Sequence, residues 1–383
     1  MGVTNAKAGM KLNGIIESYI AGSGGLDAGD FTEYVNGTYG TDTAINTDIH
    51  TGDYMSAVAL DSTHVFIAHS YPDSYYLYGI VCTVDGTTIT AGTNTVINSN
   101  SYSGHYSIST VVLDSTHVFI AYGYSSNIHD VVCTVNGTTI TVGVDTTINT
   151  AIDNSIHSIS AVALDSTHVF IAHIYDSSNK YLYGVVCTIS GTTITAGTDT
   201  AINSNSYSGS VISAVALDST HVFIAHSYSA LHCLYGIVCT VDGTTITPGS
   251  NYLISNSTQS SSVISAVALN ASNAVVYHTT SSSSYTLVYN NIGINGTTIT
   301  AGTNTTLVNN GDAARVIFAT NVDSFGTIFI AHSYSTTSGY SLYAIVRSHD
   351  SAVTFSSSSD TILGVSKQTK NEGEAVDIIV PNV

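Results

Sequence analysis

The chain has 383 residues, 43% hydrophobic and only 9% charged, and its net charge is −19 with seven Lys and Arg in all. So acidic a chain has no basic patch to offer, which excludes nucleic acid and anionic membranes as partners. The hydrophobic share is too high for a disordered chain, and no apolar run is long enough to span a bilayer.

Residues 1–29 stand outside the pattern that fills the rest, and are expected to form an N-terminal attachment segment ending in a Gly-rich joint at 22–29. The chain opens without a charged-then-apolar leader, so synthesis in a cytoplasm without processing is expected. From Asp30 the sequence resembles the later half of a unit that is then repeated. Asp30-Phe31-Thr32-Glu33-Tyr34-Val35-Asn36-Gly37-Thr38 begins that half, and Thr41-Asp42-Thr43-Ala44-Ile45-Asn46 ends it.

The first full unit covers about 56–108, with strands expected at 56–60, 64–70, 77–84 and 87–91. Leu60, Leu113, Leu164, Leu217 and Leu269 mark the repeat at spacings of 53, 51, 53 and 52 residues. Four short strands in roughly 52 residues is the period of a β-propeller blade. Asp85-Gly86, Asn136-Gly137, Asp242-Gly243 and Asn295-Gly296 sit between apolar runs, as a type I′ hairpin turn requires. Asp61-Ser62-Thr63-His64 makes the other turn, its Asp placed to bond the turn backbone. Ala57-Val58-Ala59 is small enough for the crowded centre, and half-polar 87–90 suits the outer edge.

Six full repeats end near residue 358, and two more apolar runs follow at 362–365 and 375–380. The fold class is therefore all-β, a propeller of four-stranded blades occupying 30–383. A seventh blade would be closed by 30–46 together with 361–383. Six blades with a separate terminal module is the alternative. Cys82, Cys133, Cys187 and Cys239 recur at one position, with Cys233 extra. They read as small core residues, since equivalent positions in neighbouring units lie too far apart to bridge.

Turns of one face (Asp-Ser-Thr-His and Asp/Asn-Gly) scarcely vary, whereas loops of the other face differ between repeats and are rich in Tyr, Ser and Asn. Such loops suit adaptable binding. The candidate ligand-binding residues are Tyr71, Tyr75, Tyr124, Tyr175, Tyr228 and Tyr334, with His69, His173, His226 and His332 at the end of the second strand beside them. That histidine series has two readings, ligand contact or a bond to the adjacent loop backbone. No metal or cofactor is expected. Nor is an enzyme, because Glu17, Glu33, Glu372 and Glu374 all lie in the ends and no nucleophile, phosphate-loop or zincin motif occurs.

Ala28-Gly29-Asp30-Phe31-Thr32-Glu33-Tyr34-Val35, and Ile362-Leu363-Gly364-Val365-Ser366-Lys367 through Gly373-Glu374-Ala375-Val376-Asp377, resemble terminal segments of structural proteins of tailed bacteriophages. Val65-Phe66-Ile67-Ala68-His69-Ser70 followed by Tyr76-Leu77-Tyr78-Gly79-Ile80-Val81-Cys82 is similar to blades of phage tail-fibre and virion proteins. The resemblance implies a virion surface protein of tail-fibre or baseplate type that binds host cell-wall glycan. It would assemble with other virion proteins through 1–29, as a homo-oligomer in the particle. A capsid or tail decoration is the second expectation and a polysaccharide-degrading enzyme the third.

Overall fold

The computed structural model describes residues 19–20, 45, 54–70, 76–86, 88–99, 107–124, 127–149, 156–175, 181–203, 211–228, 233–256, 263–280, 286–308, 314–321, 328–336, 339–347 and 375–376. The chain divides into two compact units, 39–317 with 333–341, and 1–38 with 318–332 and 342–383. In the smaller, Tyr19–Ile20 pairs antiparallel with Ala375–Val376. The strands Ala314–Asn321, Ile328–Thr336 and Gly339–Arg347 form a three-stranded sheet in that order. Apart from Ile45 and the Ala375–Val376 strand, the segments 30–46 and 361–383 expected to close a seventh blade lie outside the described residues.

The larger unit holds five antiparallel sheets, blades 1 to 5, at 54–98, 108–149, 156–203, 212–255 and 264–308. Strand order within each follows chain order. In blade 1 the strands are Tyr54–Ala59, His64–Ser70, Leu77–Asp85 and an outer strand in two pieces, Thr88–Ala91 and Thr95–Asn98. Both pieces run antiparallel to the third strand, Cys82 facing Ala91 and Gly79 facing Thr95. The sequence reading placed only the first piece. Gly92, Thr93 and Asn94 bulge out between them, and the Gly92 N–H donates to Val81 O at 2.9 Å. A Cβ on Gly92 would lie 2.6 Å from that oxygen, so glycine is required there.

The turns form as their residues dictate. Gly86, Gly137, Gly191, Gly243 and Gly296 have φ of 57 to 62°, in the left-handed region. At the other turn, Asp61 Oδ1 accepts the N–H of Thr63 at 2.6 Å and of His64 at 2.8 Å. The Thr63 N–H and hydroxyl hold the Asp61 carboxyl at about 2.

The core lies between blades rather than within them. Phe66, Ala68, Leu77, Val81 and Ile97 of blade 1 pack against Ile108, Val118, Ile120, Cys133, Val135 and Ile140 of blade 2. The same two sets meet at each following interface. In blades 2 to 4, strands two and three are thus buried on both faces, which is why they read as continuous apolar runs rather than as an alternation. Removing one such Phe ring costs about 3–5 kcal/mol. Toward the centre, neighbouring inner strands are joined by serines. The backbone N–H groups of Thr110, Ala161, Ala214 and Ala266 donate to Oγ of Ser56, Ser109, Ser160 and Ser213 at 2.9–3.0 Å.

All five cysteines are free and buried. Burial pushes the thiols of Cys133 and Cys239 up to about 12, leaving them as small apolar fillers.

Candidate ligand-binding site

Blades 1, 3 and 4 carry a repeated cross-strand pair near the end of the second strand, toward the variable loops. His69 faces Tyr78, His173 faces Tyr183 and His226 faces Tyr235. The rings stack, with centroids 5.6–5.8 Å apart and planes within 12–13° of parallel. The outer-strand bulge supplies the imidazole's partner. His69 Nε2 donates to Asn94 Oδ1 at 3.0 Å, His173 to Asp199 at 2.9 Å and His226 to Asn251 at 3.0 Å. The series therefore bonds a side chain of its own blade, 25 or 26 residues away. Blade 5 lengthens the chain by one link, with His278 bonding Asn290 at 2.8 Å and Asn290 bonding Asn304 at 2.9 Å.

Burial sets the chemistry of these rings. Desolvation lowers His69, His226 and His278 below the usual imidazole value, His226 to about 4, so each is neutral at pH 7. A neutral imidazole fixed through Nε2 is a positioned polar group, not a cation. Beside it the phenol rings of Tyr78, Tyr183 and Tyr235 are half-buried, and in blades 1 and 3 a second half-buried ring adjoins, Tyr76 at 6.2 Å and Tyr181 at 6.5 Å.

Blade 2 exchanges the partners. Tyr122 stands where the others have His, and His129 where they have Tyr. Tyr122 Oη donates to Asp145 Oδ1 at 2.7 Å and accepts from Asn98 Nδ2 of blade 1 at 2.6 Å. His129 Nδ1 reaches Asp145 Oδ2 at 3.1 Å. Burial, with Asp145 adding to it, pushes the Tyr122 phenol far up. Asp130 replaces the glycine of Gly79, Gly184 and Gly236, is fully buried, and receives the Cys187 thiol at 3.5 Å. Its Oδ1 has no hydrogen-bond partner, and desolvation raises its carboxyl well above the usual range.

Of the residues singled out from the sequence, Tyr71 and Tyr75 lie outside the described residues, and for Tyr175, Tyr228, His332 and Tyr334 only the backbone is described. Tyr124, Tyr175 and Tyr228 are the last residues of their second strands rather than loop residues. Tyr124 is buried and meets His129 edge-on at 5.1 Å, so it supports the base of its loop. Sequence reasoning missed Asn94, Asp145, Asp199, Asn251 and Asn304, although the repeated Gly-x-Asn/Asp was there to be read. Among the described residues no group of three or more His, Cys, Asp or Glu is placed to hold a metal.

No family model matches the chain, and no curated protein does. Solved structures show its fold. AofleA from Arthrobotrys oligospora superposes with a TM-score of 0.52 at 10% identity, over 79% of this chain and 84% of that one. A protein of unknown function from Dyadobacter fermentans gives 0.53 at 11% identity, over 78% and 94%. A fungal lectin from Aleuria aurantia, described as a six-bladed β-propeller with a novel mode of fucose recognition, gives 0.45 at 12% identity, over 79% and 97%.

Proposed function

We propose that the chain is a non-enzymatic glycan-binding protein whose sites recur blade by blade beside the variable loops. The observation that carries this is the half-buried Tyr78, Tyr183 and Tyr235, each stacked on a fixed imidazole with an amide or carboxylate at hydrogen-bonding distance. An aromatic face beside fixed polar groups is what a sugar ring needs, since it has an apolar face and a rim of hydroxyls. Repetition adds avidity from individually weak sites.

The finer reading places the protein on a virion, as a tail-fibre or baseplate-type adhesin for host cell-wall glycan, anchored through 1–29 and oligomeric in the particle. The resemblance of the terminal segments to phage structural proteins supports it. We propose seven blades for the ring; a six-bladed ring accommodates the same described sheets. Glycan-array binding and titration against cell-wall oligosaccharides test the function. Binding by the parent and its loss on combined Tyr78→Ala, Tyr183→Ala and Tyr235→Ala, with unchanged circular dichroism, are the expected results. Equal binding by the triple variant, or none by the parent, would reject the reading.

A further inference from the structure

Blade 1 has an apolar face that the other blades bury. Met55 is 70% exposed, whereas its equivalents Ile108, Ile159, Ile212 and Ile264 are 6–9% exposed. Ile89 is 37% exposed against 4–8% for Ile140, Ile194, Ile246 and Ile299. Val65 and Ile67 are half-buried, while Val118, Ile120, Val169, Ile171, Val222 and Ile224 are fully buried. In blades 2 to 5 this face packs on the preceding blade, and one of the residues pressed into it is the outer-strand isoleucine of that blade, Ile97, Ile202 or Ile254.

We propose that the open face of blade 1 is the seat of one more blade whose outer strand is residues 40–46 of this chain. The sequence there is Gly40-Thr41-Asp42-Thr43-Ala44-Ile45-Asn46, identical residue for residue to Gly197-Thr198-Asp199-Thr200-Ala201-Ile202-Asn203. In blade 3 that heptad is the bulge and second piece of the outer strand, and its Ile202 sits in the core shared with blade 4. By the same register Ile45 is the residue that enters the core on blade 1. Length agrees: Ile45 precedes Met55 by 10 residues, and Ile202 precedes Ile212, the equivalent of Met55, by 10. An apolar sheet face left to water is a site of association, so a built-in occupant keeps the chain from using it between molecules.

The test uses the full chain carrying Met55→Cys, whose native thiols are all buried. A thiol reagent should label Cys at this position slowly in that background, and severalfold faster when Ile45→Asp, or the milder Ile45→Ala, is added. Ile202→Asp serves as the control for general destabilisation and should leave the labelling ratio of folded protein unchanged. Labelling that is fast in both backgrounds overturns the proposal. So does slow labelling that depends on protein concentration, with a dimer mass lost on Ile67→Asp, since a second copy would then be the occupant.

Discussion

Blade 2 and its neighbours solve one packing problem in two ways. Blades 1, 3 and 4 put an imidazole on the second strand, a phenol on the third and glycine beside it. Blade 2 puts the phenol on the second strand, the imidazole on the third and Asp130 in the glycine's place. What persists is the ring pair and a hydrogen bond to the bulge, not the residue at either position. The exchange works because Tyr122 Oη and the histidine Nε2 of the other blades end within reach of the same bulge residue, at 2.7 and 2.9–3.0 Å. In blade 2 the bulge carries a carboxylate, which accepts from Tyr122 and His129 together.

The hardest way to break this contrast is to give blade 3 the residue of blade 2. A Cβ on Gly184 would lie 2.7 Å from Ile202 Cδ1 and 2.9 Å from Phe170 Cζ. In blade 2 the counterpart of Ile202 is Ile148, which is half-buried where Ile202 is buried. Gly184→Asp should therefore cost about 4 kcal/mol in urea unfolding, from crowding and a buried carboxyl together. A loss under about 1 kcal/mol would mean that the interface yields freely and that glycine there is incidental.

The second contrast is acid sensitivity. His226 is held at about 4 by desolvation, whereas the unfolded chain protonates it near 6.5. Its stabilising effect is complete above pH 6.5 and declines as pH falls toward 4, by about 3 kcal/mol at most. Tyr122, in the same slot of blade 2, does not titrate in that window. His226→Gln should flatten the fall in unfolding free energy between pH 7 and 4.5. Parallel curves for parent and variant would show that the ring does not stay neutral in the fold.

These contrasts mark how far the sequence could be read. The period, the Asp-Gly and Asn-Gly turns and the buried strands were legible, because each depends on residues within a few positions of one another. The partner of His69 was not: Asn94 lies 25 residues on and reaches it only because a bulge breaks the outer strand. The Tyr122–His129 exchange was also hidden, since cross-strand register is needed before two substitutions can be seen as one. The variable loops, where sequence reasoning put Tyr71 and Tyr75, fall outside the described residues, and the rings found instead stand on the strands beneath them.

A smaller effect sharpens blade 2 from the other side. Desolvation raises the Asp130 carboxyl well above its usual range in the fold, while the unfolded chain ionises it above about pH 4. Its cost is absent at pH 3 and grows as pH rises. Asp130→Asn should gain about 1–2 kcal/mol at pH 7 and nothing at pH 3. A gain independent of pH would place the effect in packing rather than in charge.

The smallest effect lies on the invariant face, where blade 5 differs from the rest. Asp218 accepts the Thr220 N–H at 2.7 Å and lies 3.0 Å from His221 Nδ1. In blade 5, Asn270 accepts the Ser272 N–H at 2.9 Å and the Asn273 amide at 3.0 Å. The same turn thus forms with neutral partners. Asp218→Asn with His221→Asn should change stability by no more than about 0.5 kcal/mol at pH 7, while Asp218→Ala, which leaves the turn N–H without its acceptor, costs about 1 kcal/mol. The difference returns in acid. Burial raises the Asp218 carboxyl, but bonds from Thr220 and His221 outweigh it and leave it below the usual range. Its contribution is present above the unfolded value near 4 and disappears as pH falls through the folded one. Below pH 3 the parent should become less stable than the paired Asn variant, whose turn, like that of blade 5, carries no charge.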